Sequence, residues 1–145
     1  MNPDGTTDQA MGAEEYREAA ALREGLRRFL RRSEEIAAAH GLTPQRQLLL
    51  LLIKGAPDGS ERATVTDLTG RMQLAQNTVT DLVARAEEAG LLTRERSADD
   101  GRSAYLRLSS EGERRLAGTV AGLVADRRRL IALVGELDRS QRTGT

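Results

Sequence analysis

Apolar residues recur along this chain with two different periods, and each change of period marks an element. Residues 1–12 (MNPDGTTDQAMG) show no periodicity and read as a disordered tail. From residue 13 to residue 40, Tyr16, Ala19, Leu22, Leu26, Phe29, Ser33, Ile36 and His40 return at alternating three and four spacing, the seam of one long helix. Gly41 then supplies a stop. Thr43-Pro44 opens a second helix, with Thr as N-cap and Pro at the first helical position. Its run LLLLLI at 48–53 is apolar on every side, which predicts a central helix buried all round. Residues 55–62 (GAPDGSER) are dense in turn formers and read as a loop.

The middle of the chain switches period. Thr64 and Asp67 have the spacing of a capping box, followed by a short helix that buries Val65, Leu68 and Met72. After a turn, a helix over about 75–89 places Val79, Leu82, Val83 and Ala86 inward, and Gly90 ends it. Its opposite side, near the N-terminus, shows Gln76, Asn77, Thr78, Thr80 and Asp81. Runs 91–96 and 105–108 then read as strands, joined by SADDGRSA, where Asp100-Gly101 favours a hairpin turn. A last long helix is expected from Ser110 to Leu137. A capping box of Ser110 and Glu113 starts it, and Leu116, Val120, Leu123, Arg127, Leu130, Val134 and Leu137 form its seam. Gly118, Gly122 and Gly135 weaken it as a helix but would let another helix approach closely. Residues 138–145 read as a polar tail.

The order helix, helix, turn, helix, two strands, helix is a winged helix-turn-helix over 43–109. It is mainly α with a small β-hairpin wing, flanked by long helices at 13–40 and 110–137 that complete one domain over 13–137. Those end helices carry more apolar stripe than the short middle can cover. A symmetric second copy would bury the surplus, so a homodimer is expected.

Composition narrows the function. The chain has 145 residues, 39% hydrophobic and 30% charged, with Tyr16, Phe29 and Tyr105 as its whole aromatic complement. Single-strand readers stack bases on several aromatics, so that class is disfavoured. The absence of Cys excludes disulfides, thiolate metal sites and thiol redox sensing, and one His cannot build a His-rich metal site. No apolar run approaches a membrane span and no signal peptide is evident, so no membrane partner and a cytoplasmic location are expected. No nucleophile–base pair, phosphate loop or metal cluster suggests an enzyme, and no cofactor is implied. The net charge is zero, which argues against a binder held by bulk electrostatics. Of 22 basic residues only Lys54 is lysine.

With these pieces in order, the chain resembles the MarR family of bacterial winged-helix regulators over about residues 15–137. The matching features are Leu42 to Gln45, the TVTDL start of the first short helix, and the TVTDLV core of the next helix with Arg85. Glu87, Gly90, Leu91 and Arg94 follow, then Asp100 and Arg102 in a D-x-R wing signature, then Leu108, Ser109 and Gly112. The resemblance implies a homodimer on a pseudo-palindromic operator in double-stranded DNA. Each recognition helix would enter a major groove and each wing the adjacent minor groove. It also implies transcriptional repression relieved by a small anionic or aromatic effector. The chain departs from the family pattern at Ala75, Asn77, Asp81, Thr69 and Gly101. Its residues 64–108 hold six Arg against seven acids.

The candidate DNA contacts are therefore few. Gln76 and Asn77 can bond adenine edges, and Thr78 and Thr80 can meet phosphate or a thymine methyl, although such residues also make an ordinary polar helix face. Arg102 at the wing tip would enter a narrow minor groove with Asp100 as its positioning partner. Arg85, Arg94 and Arg96 could reach phosphates, and Arg85 and Arg94 could equally pair internally. For an effector pocket the candidates are His40, Arg46 and Arg127. For His40 the readings are a satisfied half-buried histidine, an anion contact or a pH sensor. Arg127 could equally be solvated or paired across a dimer. The alternative function is a winged-helix ligand- or protein-interaction module that has lost DNA binding.

Overall fold

A computed structural model describes residues 10–96 and 104–143. The expected Asp100 and Arg102 of the wing tip lie outside the described residues, as does the terminal stretch 1–9. The elements run α1 (Ala13–Ala39), α2 (Pro44–Lys54), α3 (Val65–Met72), α4 (Gln76–Glu88), β1 (Leu92–Arg96), β2 (Ala104–Leu108), α5 (Ser110–Gly122) and α6 (Val124–Thr143). The fold is the expected mainly α winged helix with one small antiparallel hairpin. The chain divides into two compact units, residues 33–124 and a unit formed by the two ends, up to Arg32 and from Ala125.

The 33–124 unit holds the core. Leu49, Leu50 and Ile53 of α2, Leu68 of α3, Val79, Val83 and Ala86 of α4, Leu91, and Leu106 of β2 are buried together. The inward positions of α4 are thus those its period predicts. Local signals also hold. Thr43 accepts from the Arg46 amide, with Pro44 behind it. Thr64 and Asp67 form the reciprocal capping box, at 3.1 and 3.0 Å. α4 closes with Gly90 at φ 77°, its amide bonded to Glu87 O and that of Leu91 to Ala86 O, a Schellman stop. In the hairpin Leu92 faces Leu108 and Arg94 faces Leu106. Ala63 adds a single bridge to Leu106 through two backbone bonds, so the segment before α3 borders the wing.

Four expectations need correction. First, α2 is not buried all round: Leu48 and Leu51 are 42% and 43% exposed. The core packs on the face of Gln47, Leu49, Leu50 and Ile53, and three and four spacing leaves 48 and 51 on the other side. Second, the last helix is two helices. Leu123, at φ −108° and ψ 5°, caps α5, and α6 starts at Val124. A continuous apolar period cannot reveal such a break, because side chains on both sides stay in step. α6 then runs on to Thr143, past the expected boundary at 137. Third, α5 is capped by Ser109, not by the Ser110–Glu113 pair. The Ser109 hydroxyl accepts from the Gly112 amide at 3.0 Å and donates to Gly90 O at 2.6 Å. Glu113 instead meets Lys54 at 2.9 Å. Fourth, of the three glycines expected to admit a neighbour, Gly118 lies under the His40 ring and Gly122 beside Ile36, but Gly135 meets only the Arg139 side chain.

In the unit made by the chain ends, Gly25 is the close-approach residue. A Cβ there would lie 2.3 Å from Leu133 Cδ2 of α6. The seam is only partly covered: Tyr16, Leu26, Leu30, Ile131 and Val134 are exposed, and α6 has no buried residue.

Candidate nucleic-acid interface

The polar side of α4 follows from its buried side. With Val79, Val83 and Ala86 fixed in the core, helical geometry sends Gln76, Asn77, Thr80, Asp81 and Ala84 outward, where they line one shallow concavity. Gln76, Asn77, Thr78 and Thr80 are all exposed. The sequence reading thus placed these four correctly on one end of one helix. Ala75 is the N-cap and supplies no side-chain acceptor. Asn77 Oδ1 accepts from the Thr78 amide at 3.0 Å instead, which satisfies one of the open amides of the first turn.

The arginines divide. Arg94 is bound internally: its Nε donates to both Glu87 carboxylate oxygens at 2.9 Å and its Nη2 lies 2.7 Å from Oε1. That contact holds the Arg94 guanidinium above its ordinary pKa and ties β1 to α4. Arg94 therefore positions the wing against the helix in this arrangement. Arg85 lies 3.6 Å from Asp81 one helical turn earlier, with both side chains well exposed. Arg96, the last residue of β1, is exposed. Sequence reasoning passed over two further arginines. Arg62 stacks 4.0 Å from the Tyr105 ring centroid and lies 3.7 Å from Glu95, which also pairs with Arg107. Arg71 donates to Leu52 O at 2.6 Å. Nothing in sequence spacing announces either contact, since both cross between elements. The Asp81–Arg85 pair was readable from its i,i+4 spacing.

Of the expected effector residues, His40 and Arg46 belong to the 33–124 unit and Arg127 to the unit formed by the chain ends. His40 is half-buried at the end of α1, with Nδ1 3.0 Å from Ile36 O. A carbonyl only accepts, so Nδ1 carries the proton. Gly118 leaves room for the other edge of the ring. Arg46 is half-buried on α2. Arg127 is exposed and belongs to the other unit. Among the described residues no group of three or more His, Cys, Asp or Glu could hold a metal ion, and no helix is long and apolar enough to cross a membrane.

Residues 40–103 match the model of the MarR family. No curated protein matches the chain. Among solved structures, AbsC, a MarR family transcriptional regulator from Streptomyces coelicolor, aligns with a TM-score of 0.71 at 22% identity, over 91% of this chain and 92% of that one. Sco3205 from the same organism, in complex with DNA, aligns at 0.70 and 21% identity over 97% and 92%. A mutant MarR from E. coli, complexed with operator DNA, aligns at 0.66 and 14% identity over 93% and 98%. At these identities the likeness is one of fold.

Proposed function

Since residues 40–103 of this chain match the model of the MarR family, we propose that the protein is a homodimeric, sequence-specific DNA-binding transcriptional regulator. The observation that carries this reading is α4. Its inner side is locked in the core while Gln76, Asn77, Thr78 and Thr80 stand open on its first turns, the part of a recognition helix that meets base edges. Arg96 and Arg102 are the cations assigned to the wing. Support for the dimer comes from the chain ends: Leu26, Leu30, Ile131 and Val134 expose 37–63% of their surface on helices that bury almost nothing in one copy. Solved structures of the same fold include proteins bound to DNA. The finer assignment is a repressor released by a small anionic or aromatic effector.

The test is binding to a randomised duplex pool and to the chain's own upstream region, followed by titration with small aromatic carboxylates. An inverted repeat with half-sites one helical turn apart is expected. Sedimentation should give twice the 15.8 kDa chain mass. A second reading, an interaction module without DNA binding, is favoured by the excess of acids over Arg in residues 64–108. It would be established by a dimer that retains no duplex at low salt.

A further inference from the structure

The outward side of α4 carries a carboxylate where a DNA reader ordinarily gains from neutral or basic groups. Asp81 lines the same concavity as Gln76, Asn77 and Thr80, and its side chain is 71% exposed. It makes no contact with the core. Its charge is balanced by Arg85, 3.6 Å away, which also holds the carboxylate on the outward side of the helix. We propose that Asp81 is a specificity-determining residue that selects cytosine in each half-site. This rests on the DNA-binding reading above.

The argument is one of donors and acceptors. An ionised carboxylate only accepts hydrogen bonds. In the major groove guanine offers two acceptors, and thymine an acceptor and a methyl group. Adenine sets its one amine beside the N7 acceptor, which repels a carboxylate. Cytosine alone offers an amine, N4, with no acceptor next to it on its own major-groove edge. A carboxylate on the second turn of a groove-reading helix therefore excludes three bases and accepts from the fourth. Phosphate repulsion disfavours other placements of Asp81, and Arg85, 3.6 Å away, lowers that cost by offsetting its charge.

The experiment compares wild type, Asp81→Ala and Asp81→Asn in selection from a randomised duplex library at fixed low salt. Melting curves check that all three fold alike, as expected for an exposed residue. Wild type should prefer cytosine at one symmetric position by roughly five- to a hundred-fold. Asp81→Ala should equalise the four bases there and leave other positions unchanged. Asp81→Asn should move the preference to adenine, whose N6 and N7 suit an amide. If wild type binds but the preference survives in Asp81→Ala, or no cytosine position exists, the inference is overturned while the DNA-binding reading stands. If wild type selects no duplex at all, both fall.

Discussion

Replacing Gly112 by Ala tests the joint between α5 and the start of the wing. A Cβ on Gly112 would lie 2.2 Å from Leu91 O, where an ordinary contact begins near 3.4 Å, so about 1 Å must be found. The carbonyl cannot swing aside freely. It accepts from the Ser109 amide at 2.9 Å, and the Leu91 amide is itself tied to Ala86 O at 3.0 Å. Leu91 is fully buried. Overpacking of this kind costs about 1–3 kcal/mol, and an obstructing backbone atom puts it at the upper end. Disturbing the Ser109–Leu91 bond adds about 1 kcal/mol. Ala returns up to about 1 kcal/mol of helix propensity over Gly. The net is a loss of about 2–3 kcal/mol, or a melting temperature lower by roughly 10 °C for a chain of this size. Gly70 of α3 is the control, because a Cβ there meets nothing within 4 Å and its φ is not positive. Gly70→Ala should raise stability by up to about 1 kcal/mol. Thermal unfolding of both variants at one protein concentration measures the difference. If Gly112→Ala melts with wild type, the Leu91 carbonyl is not held as described and the joint is not rigid.

Ala75→Ser should stabilise the protein by about 0.5–1 kcal/mol in denaturant titration, since Ala75 has an extended N-cap conformation (φ −64°, ψ 147°) and no capping side chain; no gain would mean that Asn77 already satisfies the turn. Glu111 is held at a pKa of about 2, first by its bonds to Arg114 and then to Arg115. A depressed carboxylate contributes stability that is present above its unfolded value of 4.5 and lost as pH falls toward 2. Between those values melting should fall less steeply with acid in Glu111→Gln than in wild type, and identical slopes would dismiss the pair. The near balance of charge predicts few phosphate contacts, so log affinity against log salt should be shallow; a slope near −10 would contradict it.

The fold was legible because its elements carry their own punctuation. Thr43-Pro44, Thr64 with Asp67 and Gly90 each fixed a boundary by local chemistry, and the buried set of α4 follows from period alone. What the sequence concealed depends on contacts between elements. Whether Leu48 and Leu51 are covered is decided by what stands beside α2, which no property of a six-residue apolar run encodes. The cap of α5 turned on a one-residue choice between Ser109 and Ser110, decided by the fit of Gly112 against Leu91. For the site, the outward residues of α4 were readable. The internal role of Arg94 was one of two open readings until Glu87 was seen beside it.

These pairs also bear on the charge balance of the described part of residues 64–108. Asp81 is matched by Arg85, Glu87 by Arg94 and Glu95 by Arg107. Asp67 is bound to the amide of Thr64. The exposed pairs among these contribute about 0–1 kcal/mol each to stability. A matched pair presents a short dipole that salt screens within a Debye length of about 8–10 Å. Among the described residues of that stretch five Arg stand against five acids, so no excess of negative charge is left there. Equally, the matched arginines are not available as a broad positive stripe, so duplex binding cannot come from steering alone. On the DNA-binding reading proposed above, recognition would rest on placed groups, and the described surface offers candidates where α4 begins: two amides, two hydroxyls and one carboxylate beside its arginine. A reader built this way would gain little on random sequence and would depend on matching the bases under those five side chains. Low generic affinity together with strong sequence preference is the behaviour that separates it from a basic-patch binder, in which both would rise and fall together with salt.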